Sequence, residues 1–160
     1  LAAESALLRA DPFFARAPPR STGLEHFGGA FVEALRQRQP QASLADLLAT
    51  LVDLAAWAAA DSLRRAGAPP GIPVFLCGGG AENPALRTAI AAHLGGAGQL
   101  RAFAELAPPG DRLGDPGLRE AVAFGILGDA FLLGEPATWP STTGCAAPAV
   151  LGVLCPAPHG

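Results

Sequence analysis

The sequence predicts an α/β fold in which helices pack on a short parallel sheet. An apolar run over 72–77 shows no polar alternation, as in a parallel strand buried on both faces, and it stops at the glycines 78–80. Asn83 can then cap a helix over 84–94, whose first residue is a proline. A second candidate strand covers 99–103. Strand, helix and strand in this order form a right-handed crossover between neighbouring parallel strands.

The size and composition of the chain limit the classes of protein it can be. At 160 residues it is long enough for one core and too short for two independent domains, so a single domain over 1–160 is expected. The net charge of −3, with 11 basic residues in no long cluster, argues against nucleic acid or an anionic membrane as the main partner. Three widely spaced cysteines and three histidines support neither a disulfide framework nor a metal site.

The start of the chain predicts a fragment of a longer cytoplasmic protein. The sequence opens at Leu1 rather than Met, in a segment that already has helical character. No signal segment is present in the sequence, and the cysteine content favours a reducing compartment. We therefore expect a cytoplasmic location and further sequence upstream.

Three helices are expected before the first strand. A helix over residues 4–10 should end at Asp11, because the residue before a proline is disfavoured in helical conformation. A short helix is predicted over 30–37. The clearest helix begins after Ser43, which can act as its N-cap, and carries leucine and alanine at helical spacing until Gly67 ends it.

Three aspartates lie along this clearest helix. Asp46, Asp53 and Asp61 interrupt its apolar run and argue against a membrane-spanning segment. Acidic residues at such positions most often form a solvated face, and that is the interpretation favoured here.

An irregular segment over 15–23 lies between three phenylalanines, and two interpretations of it stay open. It can be a proline-stiffened surface connection held by the buried phenylalanines. Alternatively, it is a loop that presents Arg20, Ser21 and Thr22 to a ligand.

The C-terminal third is expected to contain one helix between irregular segments. Residues 108–117 are rich in turn formers, and a helix is predicted over 118–133 although Gly125 and Gly128 each lower its helix propensity by about 1 kcal/mol. The tail from 136 to 160 is expected to consist of loops.

The glycines after the first strand leave a bare backbone that an anion or a flat ring can approach, and the helix that follows is expected to point unpaired N–H groups at the same spot. A Walker-type phosphate loop is excluded, because it needs a lysine and this chain has none. A dinucleotide fingerprint matches at Gly78 and Gly80, but Asn83 occupies its sixth position and the strand over 99–103 does not end in an acidic residue. The glycines alone are about as consistent with a structural turn as with a ligand site.

Four motifs that occur in order along the chain favour a ligand site over a purely structural turn. Together they resemble the C-terminal half of the anhydro-N-acetylmuramic acid kinase family, and they cover nearly the whole chain. They are DPFFARAPPRSTG at 11–23, CGGGAENPAL at 77–86, EAVAF at 120–124 and PSTTG at 140–144. The resemblance implies the C-terminal, nucleotide-side half of an actin-like, ribonuclease-H-like sugar kinase of the acetate and sugar kinase, heat-shock protein and actin superfamily.

The resemblance also implies a reaction and roles for particular residues. ATP and water would open the 1,6-anhydro ring of anhydro-N-acetylmuramic acid, giving N-acetylmuramic acid 6-phosphate and ADP in cell-wall recycling. Glu120 would face the sugar and help hold the attacking water, although the helix dipole alone would also favour a carboxylate there. The residues implied to contact ATP are Gly78, Gly79, Gly80 and Asn83. Those aligned with a substrate-side Lys-Ser-Thr-Gly segment, with arginine for lysine, are Arg20, Ser21 and Thr22.

Much of the implied machinery would lie upstream. The resemblance places the phosphate loop, the general base and most contacts to Mg²⁺ in a missing N-terminal domain, so the fragment alone is expected to be inactive. A homodimer is a candidate assembly. Gly125, Gly128 and the segment 112–118 depart from the family pattern near the sugar side.

Two alternatives to the kinase hypothesis stay open. The chain can be a non-catalytic nucleotide-binding or interaction module that keeps the fold. An ordinary dinucleotide-binding domain would instead bind NAD.

Overall fold

The described part of the chain divides into two compact units. The computed structural model describes residues 1–95, 98–108, 110–111, 115 and 117–155. Unit 1 comprises Leu1–Arg16 and Thr22–Pro116, and unit 2 comprises Ala17–Ser21 and Gly117–Gly160.

Unit 1 begins with a helical region. Its helices are α1 (Ala2–Arg9), α2 (Pro12–Ala15), α3 (Leu24–Phe27), α4 (Gly29–Arg38) and α5 (Leu44–Arg65). The predicted helices α1, α4 and α5 are confirmed with small shifts at their ends. Asp11 does end α1, but its side chain also accepts a hydrogen bond from the Phe13 amide at 2.8 Å and so caps α2, which was not predicted.

The core of unit 1 forms where these helices meet. Its most buried members include Leu35 on α4, which is completely buried. Phe14 contacts Phe27 and Trp57 with ring centroids 5.5 Å and 5.1 Å apart. The buried cluster consists of Leu8, Phe14, Leu35, Leu47 and Leu54. The phenylalanines on either side of the irregular segment therefore pack into this core or against it, as expected.

A two-stranded parallel sheet follows the helical region. Strand β1 (Ile72–Leu76) pairs with β2 (Gly98–Ala102), with Val74 opposite Leu100. Helix α6 (Pro84–Leu94) connects them, which confirms the predicted crossover. A short 3₁₀ helix, Gly79–Glu82, precedes α6, and another, Phe103–Leu106, follows β2.

The expectation that β1 is buried on both faces is wrong. Ile72 and Pro73 are exposed, and the rest of the strand is half-buried. A strand becomes fully buried only when it has neighbours at both edges and packed layers on both faces. Within the described residues, β1 pairs with β2 alone, and a small cavity of about 60 Å³ separates it from α5 and α6.

Unit 2 contains the predicted helix α7 (Arg119–Leu133) and a short helix α8 (Pro140–Thr143). Gly134 ends α7 in the left-handed conformation, with φ of 70°. α8 corrects the expectation of an unbroken loop after residue 136, because Pro140 occupies a first helical position. Half of the predicted irregular segment 108–117 lies outside the described residues, and so do residues 156–160 at the end of the tail.

The aspartates of α5 have different surroundings. Asp46 is exposed beside its Ser43 cap, as expected. The predicted solvated face is wrong for Asp61, whose side chain is 16% exposed and accepts from Arg65 Nε at 2.5 Å, and for Asp53, which contacts two other helices. Among the described helices, none combines the length and the apolar character that a bilayer crossing requires.

Candidate functional site

The glycine turn between β1 and α6 has a shape set by its backbone. Gly78 has φ of 80° and ψ of 173°, a combination that side-chain-bearing residues rarely adopt. The Gly78 carbonyl accepts a hydrogen bond from the Ala81 amide at 3.0 Å, and the Gly80 carbonyl accepts one from the Asn83 amide at 3.1 Å. These bonds fold the glycines into the 3₁₀ turn that leads to α6.

The surface of this turn is open. A Cβ atom added at Gly78 or Gly79 would meet no heavy atom within 4 Å, and one at Gly80 would only reach Leu86 Cδ2 at 3.4 Å. Within the described part of the chain, no hydrogen bond reaches the amides of Gly79 and Gly80. The turn thus offers two free N–H donors beside bare backbone, which suits close approach of an anionic group.

Asn83 has a structural task at the start of α6. Its Oδ1 accepts hydrogen bonds from the amides of Ala85 and Leu86 at 3.0 Å and 3.2 Å, and its carbonyl accepts one from the Arg87 amide at 3.0 Å. The expectation that α6 points unpaired N–H groups at the turn is therefore wrong. The Asn83 cap satisfies those donors, and the free donors belong to the glycines instead.

One positive side chain reaches the turn from α6. Arg87 Nη1 lies 3.4 Å from the Ala81 carbonyl oxygen, which it approaches as a hydrogen-bond donor. The guanidinium supplies positive charge beside the glycine amides, while the exposed Glu82 opposes it from within the turn.

Glu120 lies in unit 2, at the second position of α7. Its side chain is 82% exposed, and its Oε1 is 3.8 Å from Arg119 Nη2. A carboxylate in the first turn of a helix is favoured by the helix dipole, so a purely structural account remains sufficient. Its exposure also leaves most of the carboxylate free to contact a ligand.

The segment with Arg20, Ser21 and Thr22 crosses the boundary between the units. Arg20 and Ser21 belong to unit 2 and Thr22 to unit 1. The Pro18–Pro19 bond that precedes them is cis. Arg20 is half-buried, whereas Ser21 and Thr22 are exposed.

Thr22 has largely apolar surroundings. It lines a cavity of about 410 Å³ whose other walls are mainly aromatic and aliphatic, including Phe13 and Phe31. Neither interpretation of the irregular segment is removed by this environment.

A polar cluster not recognised from the sequence joins three helices of unit 1. The Asp53 cluster consists of Ser5 and Arg9 on α1, Asp53 on α5 and His93 on α6. Asp53 Oδ2 accepts from Ser5 Oγ and from Arg9 Nη2, the latter at 2.6 Å, and Asp53 Oδ1 lies 2.6 Å from His93 Nε2. Arg9 also lies over the Trp57 ring, 5.4 Å from its centroid.

The electrostatics of Asp53 follow from these contacts. Partial burial raises the pKa of its carboxyl group, but the hydrogen bonds from Ser5, His93 and Arg9 together lower that pKa to about 2. A sequence signal existed: Thr50, Asp53, Trp57 and Ala60 share one helical face, and Thr50 and Ala60 are buried. The aspartate within that stripe could have been expected to require partners.

Glu4 forms a similar contact between α1 and the end of α4. Its side chain is 5% exposed; Arg38 Nε donates to Oε1 at 2.7 Å and Gln39 Nε2 donates to Oε2 at 3.0 Å. Burial raises the pKa of Glu4, and the hydrogen bonds from Gln39 and Arg38, with the charge of Arg38, bring it below its ordinary value. The carboxylates of Asp53 and Glu4 therefore both stabilise contacts between helices.

The described residues contain no group of three or more His, Cys, Asp or Glu side chains arranged to hold a metal ion.

Comparisons with known proteins agree in pointing to one family. A family model described as anhydro-N-acetylmuramic acid kinase matches residues 4–157. The anhydro-N-acetylmuramic acid kinase of Xanthomonas campestris pv. campestris strain 8004 is 41% identical over 153 residues, which cover 94% of this chain and 37% of the relative. The protein of the same name from Gloeobacter violaceus is 37% identical over 152 residues, covering 92% and 37%. The chain thus spans less than half the length of these curated relatives.

Proposed function

This chain belongs to the anhydro-N-acetylmuramic acid kinase family, and from that membership we propose that it is the ATP-binding, C-terminal half of an enzyme that phosphorylates 1,6-anhydro-N-acetylmuramic acid with hydrolytic ring opening. In this reaction water adds at C1 as the C1–O6 bond of the anhydro ring breaks, and O6 receives the γ-phosphoryl group of ATP. The products are N-acetylmuramic acid 6-phosphate and ADP, consistent with a role in peptidoglycan recycling.

The main observation in support of ATP binding is the open glycine turn. The amides of Gly79 and Gly80 have no hydrogen-bond partner in the described chain, and a Cβ atom at Gly79 would meet no heavy atom within 4 Å. Backbone donors of this kind suit phosphate oxygens, and the Arg87 guanidinium adds positive charge close by. In this proposal the glycines bind the nucleotide, and Asn83 holds their position by capping α6.

Glu120 is proposed to orient the attacking water. Its carboxylate is largely exposed and lies 3.8 Å from the positively charged group of Arg119. An ionised carboxylate can accept a hydrogen bond from water and so aim the lone pair of the oxygen at an electrophilic carbon. Arg20, Ser21 and Thr22 are proposed to contact the sugar.

Mg²⁺ would accompany ATP and neutralise charge on its phosphates. The described residues contain no group of three or more side chains that could hold a metal ion, and in this proposal the protein ligands of Mg²⁺ lie mainly outside these 160 residues. No step of the proposal relies on a metal bound by these 160 residues.

The test is an assay of the full-length protein. ATP and 1,6-anhydro-N-acetylmuramic acid are incubated with it in water enriched in ¹⁸O, and the products are followed by mass spectrometry. We expect ADP together with N-acetylmuramic acid 6-phosphate that has gained one ¹⁸O atom. If ATP binds but no labelled sugar phosphate forms, the kinase proposal is wrong and the non-catalytic alternative gains support.

The 160-residue chain by itself is proposed to be inactive, because phosphoryl transfer requires a clamp on the γ-phosphate and a base near the water. Release of ADP by the isolated chain in the presence of the anhydro sugar would contradict this part of the proposal. Calorimetry with NAD tests the dinucleotide alternative, for which tight NAD binding is expected.

A further inference from the structure

The contact between Asp53 and His93 connects α5 with the helix that follows the glycine turn. We propose that Asp53 and His93 are positioning residues: their contact fixes the orientation of α6 and, through it, the placement of the Gly79 and Gly80 amides toward the phosphates of ATP. The nucleotide part of this inference rests on the proposed function.

α6 behaves as a rigid connection between this contact and the turn. It has 11 residues and is therefore about 16 Å long. Its N-terminal end carries the Asn83 cap and the Arg87 contact to the turn, and its last turn carries His93. A rotation or tilt at the His93 end therefore moves the end that holds the glycines.

α6 packs along α5 but contributes few fully buried side chains. Among the described side chains of this helix, only Ile90 is buried. Two polar contacts from α5 fix its last turn: Asp53 Oδ1 lies 2.6 Å from His93 Nε2, and Arg64 Nη1 donates to the His93 carbonyl at 3.1 Å. The side chains of His93 and Asp53 are 21% and 36% exposed, so their contact is partly shielded from water and stronger than one at the surface.

The geometry of the Asp53 carboxylate allows this role to be separated from the holding of α1. Ser5 and Arg9 use Oδ2, whereas His93 approaches Oδ1. A change of the His93 side chain therefore removes the contact of α6 to Asp53 and leaves both α1 contacts in place. A change at Asp53 would disturb all three helices at once.

His93→Leu and His93→Gln form the matched pair of variants. Leucine cannot bond the carboxylate, whereas the amide nitrogen of glutamine lies near the position of histidine Nε2 and can donate to Asp53 Oδ1. His26→Leu is the control, since His26 forms an equivalent contact to Asp11 at 3.0 Å in the same unit, on α3. If His93→Leu fails to fold, His93→Asn replaces it, because asparagine is polar but too short to make the contact.

The experiment uses the full-length protein. The Kd for ATP is measured by calorimetry, and the KM for ATP and kcat are measured by steady-state kinetics. We expect His93→Leu to raise the Kd and KM for ATP about tenfold with little change in kcat. His93→Gln should stay within about twofold of the wild type, and His26→Leu should leave ATP binding unchanged.

The two levels of inference fail in different ways. A wild-type protein that does not bind ATP overturns the proposed function and this inference with it. If the wild type binds ATP and a folded His93→Leu or His93→Asn variant binds it equally well, the positioning role alone is overturned. A loss confined to kcat, or a His93→Gln variant as impaired as His93→Leu, also overturns it.

Discussion

The helical region of unit 1 and helix α7 of unit 2 differ in how they use their side chains. In the first region Leu35 is completely buried, and Glu4 and Asp53 each bond side chains from other segments. In α7 none of the described residues is buried, Phe124 is 72% exposed and the Glu120 carboxylate is 82% exposed. Carboxylates of the first region hold helices together, whereas Glu120 remains available to a ligand. The contrast predicts that substitutions in the two regions affect different measurements.

The largest effect on stability is expected from truncation of the buried core. Leu35→Ala removes a fully buried side chain and leaves a cavity, so the free energy of unfolding of the 160-residue chain should fall by about 3 kcal/mol. Phe124→Ala, a larger truncation on α7, should change it by no more than about 0.5 kcal/mol. Urea denaturation followed by circular dichroism measures both. Equal losses in the two variants would remove the contrast between the regions.

Glu120→Gln should affect catalysis far more than stability, since the helix dipole stabilises an exposed carboxylate by less than about 1 kcal/mol. Loss of the carboxylate that is proposed to orient water should lower the kcat of the full-length enzyme by about 100-fold. Asp129→Asn is the control, because Asp129 is an exposed carboxylate further along α7. A Glu120→Gln enzyme with normal kcat would mean that Glu120 only stabilises the start of its helix.

Gly78→Ala tests the glycine turn of unit 1, whose shape depends on its backbone conformation rather than on buried side chains. Alanine is strained at φ of 80° and ψ of 173°, so the variant should lose about 2 kcal/mol of unfolding free energy although its added methyl group has free space. Gly79→Ala has the same open space and lies within the 3₁₀ turn, and it should be almost neutral. Thermal unfolding distinguishes the two, and equal melting temperatures would contradict the backbone argument.

The smallest expected effect is the loss of stability at low pH when Asp53 is protonated. The pKa of Asp53 is about 2 in the folded chain against an ordinary 3.8, so its stabilising contribution is present above about pH 4 and is lost as the pH falls toward 2. Because the side chain is 36% exposed, solvent screening limits this contribution to about 1 kcal/mol or less. The stability difference between the wild type and Asp53→Asn should shrink between pH 5 and pH 2.5. A difference independent of pH would contradict the assignment.

Sequence reasoning succeeded where the structural signal is local. The cap at Asn83, the proline after it and the preceding glycines lie within a few residues of one another, and they fix the strand, turn and helix that the structure contains. The clearest helix was predicted for the same reason, since Ser43 and the leucine spacing belong to one segment. The parallel pairing of β1 and β2 followed from the short crossover between them.

The predictions failed where partners are distant in the chain. Asp53 meets Ser5 and His93 across 48 and 40 positions, and no local pattern specifies such contacts. The short helices α2, α3 and α8 have four residues each, too few to show a hydrophobic period. The burial of β1 was overestimated because the sequence of a strand does not show how many neighbours it has.

The hydrogen-bond donors of the glycine turn are peptide groups, so they depend little on pH or on the side chains of the neighbouring residues. Peptide amides carry no proton that titrates in the physiological range and no side chain that replacement could remove. Exchange of Ala81 or Glu82 for any residue except proline would keep the spacing from Gly78 to Asn83 and therefore the donors. Insertion of a single residue would displace the bonds that close the turn at Ala81 and Asn83. Such substitutions at Ala81 and Glu82 are therefore tolerated, whereas a substitution at Gly78 or a change in the number of residues between Gly78 and Asn83 distorts the turn.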